Sequence, residues 1–264
     1  MYSRWAGSGS VGSRSADAGW AGSGSVGSRW ADAGWADAGS ADAGSAMRRI
    51  RRRTLLAMGL VTAAMGRTPE EAFIPPSGSL SFRLMRYGTP IGTHAVVFQN
   101  QPDGFDVHIG VNVLVKLGPI PFVRYTHSDS EAWRSGRLAA ITAQTNRNGT
   151  ELAMHAWRGK AGLQVEGSGT APYVAPDNAL PTTYWNPRML DGPMIGTQDG
   201  MLVRPKVTAT GVEHIRIADG SRIPARRYEL SGDLEIVLFY DMAGLWAGMS
   251  FAVADGSIIQ YERL

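Results

Sequence analysis

His127-Ser128-Asp129-Ser130-Glu131 sets an imidazole and two carboxylates at alternate positions, with hydroxyls between them. Neighbours on a strand point to opposite faces, so His127, Asp129 and Glu131 would share one face and the two serines the other. Three such groups on one face suit a metal or a hydrolytic site. A serine nucleophile beside its own base does not arise from adjacency on a strand. The sequence supplies no second ligand pair to support a metal. The reading adopted is a solvated polar strand face, with no catalytic residue and no metal or cofactor assigned. His94, His108, His155 and His214 are scattered and lack the paired spacing of a zinc helix, so surface or edge positions are expected. The carboxy-terminal body holds no Gly-x-Ser-x-Gly elbow, P-loop or Ser-x-x-Lys motif.

The aromatic residues point elsewhere. Trp133, Trp185 and Trp246, with Tyr173 and Tyr184, are candidates for lining an apolar cavity in a large sheet. Packing into a core is the alternative. Tyr173, Tyr184 and Trp185 lie in a stretch, Ala171 to Gly196, that carries Pro172, Pro176, Pro181, Pro187 and Pro193. Proline cannot donate to a central ladder. A long loop is therefore expected here, acting as a lid over a ligand or as a cross-over that plugs an open end with its aromatics.

The elements that must position these residues are strands. Phe105, Val107, Ile109, Val111, Val113, Val115 and Leu117 alternate with Asp106, His108, Gly110, Asn112, Leu114 and Lys116. Leu80, Phe82 and Leu84 repeat the pattern. Asp103-Gly104, Asn148-Gly149, Asp199-Gly200, Asp219-Gly220 and Asp255-Gly256 are turn signals between such runs. Strands are expected near 79–87, 91–99, 105–117, 121–134, 137–146, 150–158, 162–169, 201–217, 223–231, 234–240, 246–254 and 257–263. The fold class is all-β: a large antiparallel meander forming a curved sheet or barrel over residues 79–264, with no long amphipathic helix.

What precedes that domain divides in three. Residues 1–46 repeat Trp-Ala-Gly-Ser-Gly-Ser-Val-Gly-Ser-Arg and offer too little apolar surface to offset chain entropy. They are expected to be disordered, and Met47 is read as the true start. Residues 47–66 open with five arginines in seven residues and continue as a short apolar run, the pattern of an export signal. Arg52-Arg53-Thr54-Leu55-Leu56 resembles the twin-arginine motif. Export machinery would read this segment, and a periplasmic or extracellular location follows. Residues 67–78 are expected to be a linker, exposed from Arg67 to Pro76.

The net charge of +3 belongs to the amino-terminal parts. Eight of the 26 Lys and Arg and four of the 23 Asp and Glu precede Arg67, which leaves 18 basic against 19 acidic residues. A near-neutral body offers no electrostatic footprint for nucleic acid. Cysteine is absent, so packing alone must hold the exported domain together.

Glu131-x-Trp133-x-x-Gly136-Arg137-Leu138, Thr145-x-x-Asn148-Gly149, Thr183-x-Trp185-Asn186-Pro187, Phe239-Tyr240-Asp241 and Asp255-Gly256-Ser257-x-Ile259-x-Tyr261 together resemble a family of exported bacterial β-proteins catalogued as a domain of unknown function. The resemblance runs from about Leu80 to the end. It implies a similar fold and carries no activity or catalytic residue. The hairpins also resemble, at the level of fold, the curved sheets of periplasmic lipoprotein carriers. Three functions follow as expectations. The first is a non-catalytic, exported barrel-like protein binding an apolar or amphipathic ligand such as lipid. The second is an envelope structural or protein-interaction module with a filled core. The third is a hydrolase using His127, Asp129 and Glu131.

Overall fold

A computed structural model describes residues 70–117 and 120–264. The repeat and the segment read as an export signal lie outside the described residues. Eight strands run consecutively: β1 (Ser79–Arg86), β2 (Thr89–Gln101), β3 (Gly104–Leu117), β4 (Ile120–Arg134), β5 (Arg137–Arg147), β6 (Thr150–Gly159), β7 (Gly162–Gly167) and β8 (Thr170–Ala175). Residues 176–205 then form a strap holding three two-residue strands, β9 (Leu180–Pro181), β10 (Met194–Ile195) and β11 (Leu202–Val203), and a short 3-10 turn at Pro187–Asp191. Five more strands follow: β12 (Lys206–Arg216), β13 (Arg222–Ser231), β14 (Ile236–Asp241), β15 (Trp246–Ala252) and β16 (Ile258–Arg263).

Thirteen strands make one antiparallel sheet in the order β12-β13-β14-β15-β16-β1-β2-β3-β4-β5-β6-β7-β8. Two meanders thus meet where β16 pairs with β1, and β8 and β12 are left as the two edges. The strap joins those edges. It touches strands on both sides of the β16–β1 seam, so the sheet curls around it. Trp185 meets Phe98 of β2, Phe105 of β3 and Trp133 of β4, while Tyr184 meets Trp246 of β15.

The expected alternation holds. Leu80, Phe82 and Leu84 of β1 and Phe105, Val107, Ile109, Val111 and Val113 of β3 are buried on one interior face. Asn148 and Gly149 both take positive φ, as a tight hairpin requires, and Gly104, Gly220 and Gly256 do so at other turns. Asp199-Gly200 is not a hairpin turn: it lies in the strap, with Gly200 against Gly167 of β7.

Three expectations change. The run 201–217 is broken by Pro205 into β11 and β12. Part of the expected loop after Ala171 is β8, where Pro172 is tolerated because β8 is an edge strand. Of the expected exposed linker, Glu70 is buried, and Phe73 and Ile74 pack against the core. Apolar side chains there gain more from burial than a solvated linker would give them.

Candidate functional site

The inward face of β4 reads Tyr125, His127, Asp129, Glu131, Trp133, and all five are buried. The solvated face expected for His127, Asp129 and Glu131 is therefore wrong. The missed signal is phase: Tyr125 and Trp133 fall on the same alternation as the three polar residues and carry them inward. Ser128 and Ser130 face outward, so no hydroxyl nucleophile joins the row.

Glu131 lies at the dry end. Its Oε2 accepts hydrogen bonds from the indole nitrogens of Trp133 and of Trp185, the latter at 3.1 Å. Its Oε1 has no hydrogen-bond partner among the described residues. Burial lifts this carboxyl to about 7, against the pull of the indole donors and of Thr183. Asp129 is buried with neither oxygen hydrogen-bonded among the described residues, and burial together with the neighbouring Glu131 raises its pKa well above the ordinary range. A carboxyl with no donor in a dry site holds its proton.

His127 Nδ1 lies 2.8 Å from Thr145 Oγ1, and its Nε2 is 4.0 Å from Asp129 Oδ2. Burial pushes His127 down to about 4. His94 of β2 sits nearby, ringed edge-on by Trp246 and Tyr261, with neither ring nitrogen hydrogen-bonded among the described residues. Burial, helped by His127, lowers it to about 3. A surface or edge position is expected for His94 from its lack of paired spacing, yet it shares the alternation of Val96 and Phe98 and points inward with them. Near neutral pH, His94, His127 and Asp129 are thus uncharged, while Glu131 titrates there. Among the described residues no group of three or more acidic or histidine side chains is arranged to hold a metal.

The strap closes the site from the other side. Trp185 N–H donates to the Thr183 carbonyl at 2.9 Å across Tyr184, whose φ is +66°. This is a γ-turn with a bulky residue in the left-handed region, a strained conformation that its surroundings must hold. Tyr240 of β14 donates its hydroxyl to the Tyr184 carbonyl at 2.8 Å, which pins the turn. The turn sends Trp185 towards β2–β4 and Tyr184 towards Trp246.

The structure brings four of the five aromatic candidates into this core. Trp133, Trp185 and Trp246 are at most 1 % exposed, and Tyr184 is also buried. Tyr173 stands apart on β8, half-buried, and donates its hydroxyl to the Gly200 carbonyl at 2.8 Å. Between His94, His127, Tyr184 and Gln198 remains a cavity of about 30 Å³. That is room for a water molecule or two and no more.

A family model described as a domain of unknown function (DUF6134) matches residues 82–264. No curated protein matches the chain. Among solved structures, the chain is similar to a beta-barrel-like protein of domain of unknown function DUF1849 from Brucella abortus, at 9 % identity, over 70 % of this chain and 94 % of that one, with a TM-score of 0.49.

Proposed function

The chain belongs to the DUF6134 family, whose description assigns no activity, and from that premise we propose that it is an exported, non-catalytic interaction module with a filled core. One observation carries the reading: the strap lays Trp185 across Phe98, Phe105 and Trp133 and leaves about 30 Å³ beneath Tyr184. Ligand sites commonly take roughly 300–1,000 Å³. The protein would then work through its outer surface, on other envelope components. Export is supported by the basic and then apolar segment at 47–66. A hydrolase built on His127, Asp129 and Glu131 is disfavoured because the row is buried and its serines face away.

A second reading keeps an apolar or amphipathic ligand such as a lipid, held by Tyr173, Tyr184, Trp185, Trp133 and Trp246. The strained turn at Tyr184 favours it: a strap pinned in a costly conformation is one that a ligand could displace. Native mass spectrometry of the gently purified exported form, followed by uptake of a hydrophobic dye, separates the two. The filled-core reading expects no co-purifying small molecule and no uptake. A stoichiometric lipid, or dye uptake abolished by that lipid, overturns it in favour of the second.

A further inference from the structure

The outer face of the sheet differs between its two halves. On β2 to β6 the residues that alternate with the core point outward, and strand pairing aligns them in rows across the sheet. One row runs Val97, His108, Ser130, Thr142, His155, and all five are exposed. The next runs from Ala95 to Ala153 and contains Ser128 and Gln144, both exposed. Neither row holds an Asp, Glu, Lys or Arg, and no bulge interrupts the ladder along them. At the usual strand spacing the first row spans about 19 Å.

The polar groups of these rows are largely unengaged. His108 Nδ1 lies 3.1 Å from Ser130 Oγ. Ser128, Thr142 and Gln144 make no side-chain hydrogen bond among the described residues. At one end of the rows the half-buried Trp157 stacks on His155, with ring centroids 4.9 Å apart and planes inclined by 24°.

The solvated β12–β13 hairpin, by contrast, carries charge in Glu213, Arg227 and Glu229. Depletion of charge marks a contact surface, and what stands in its place selects the occupant. Protein interfaces are depleted in serine and alanine, and these rows are rich in both. Nucleic acid or an anionic lipid surface would need lysine or arginine in the rows. Hydroxyl, amide and imidazole groups can each donate and accept, as sugar hydroxyls do. The tryptophan ring offers an apolar face to the C–H side of a sugar. A pyranose ring is about as long as one step between strands.

We propose that the outer face of β2–β6 binds an uncharged linear glycan strand of the envelope, hydrogen-bonded by Ser128, Ser130, Thr142 and Gln144 and stacked on Trp157. This gives the interaction module a partner of stated chemistry, and it rests on that reading.

Isothermal titration of the purified protein with chitohexaose, cellohexaose and, as a charged control, oligogalacturonate tests this. At least one of the neutral hexamers is expected to bind with a dissociation constant of about 1 mM or tighter, and the polyanion at least about tenfold more weakly. Trp157→Ala is expected to weaken the neutral sugar at least about tenfold, and Gln144→Ala about threefold. Gln144 is exposed, so its replacement leaves the fold intact; thermal unfolding checks the tryptophan variant. No heat from either hexamer at about 5 mM, binding unchanged in both variants, or equal binding of the polyanion overturns the proposal. Self-association of the wild type that Gln144→Lys abolishes would give the face to a second copy and overturns it too. All of these results leave the filled core untouched. A stoichiometric lipid in native mass spectrometry would instead overturn the filled core and leave the glycan result standing, because the rows lie on the opposite side of the sheet from the interior.

Discussion

β4 and the β12–β13 hairpin are built from similar material and end in opposite environments. Both are long strands that mix charged residues with β-branched ones. On β4, His127, Asp129 and Glu131 are buried, and burial disfavours the charged form of each. On β12, ten of eleven residues are exposed or partly so, and only Ile215 is buried. The charges of that hairpin are solvated pairs: Arg227 of β13 lies 3.4 Å from Glu213 and also bonds Glu229. The difference is position in the sheet. β4 lies inside the sheet, four strands from the β8 edge and against the strap; β12 is an edge. A polar side chain is dry or wet according to what arrives opposite it, not according to its own strand.

The hardest way to break this contrast is Trp185→Ala. It removes the plug and one of the two indole donors to Glu131. Loss of a fully buried tryptophan of this kind costs about 3–5 kcal/mol. The midpoint of urea unfolding should fall accordingly, and a change under about 1 kcal/mol would mean that the strap does not seal the interior.

A finer probe is the pH dependence of Glu131→Gln. The folded Glu131 titrates near 7 rather than its ordinary 4.5. Between those values the folded protein holds more protons than the unfolded chain, so this group makes stability fall as pH rises. His127 and His94, pushed to about 4 and about 3, act the other way and add stability as pH rises towards 6.5. Removing only the carboxyl should make the variant gain on the wild type between pH 4.5 and 7, by at most about 1.4 kcal/mol per pH unit. Denaturant titrations across that range check it. A difference that stays flat with pH would show that Glu131 is ionised throughout.

The smallest effect belongs to the other half of the comparison. Val212 of β12 is 58 % exposed. Val212→Ser should move stability by no more than about 0.5 kcal/mol. A larger loss in thermal unfolding would mean that the edge hairpin is covered in solution, and the contrast with β4 would narrow.

Much of the architecture was legible in the chain. The strand runs of β1 to β7 lie within a few residues of where alternation and turn pairs put them. Where reading failed, the cause was specific. Pro172 hid β8, because a rule that bars proline from central strands says little about edges. The isolated spacing of His94 suggests a surface or edge position, although Val96 and Phe98 share its phase. The five aromatic candidates could be named, but nothing local said whether they would line a space or fill it.

The sequence by itself determined most of the strand runs, four of the five turn pairs and the face on which each β4 side chain lies, because a two-residue period is a property of the backbone. Only the tertiary structure decided that this face is dry. The residue that closes it, Trp185, comes 54 positions after Glu131. Burial is a non-local property, set by contacts between segments that no pattern within either one records.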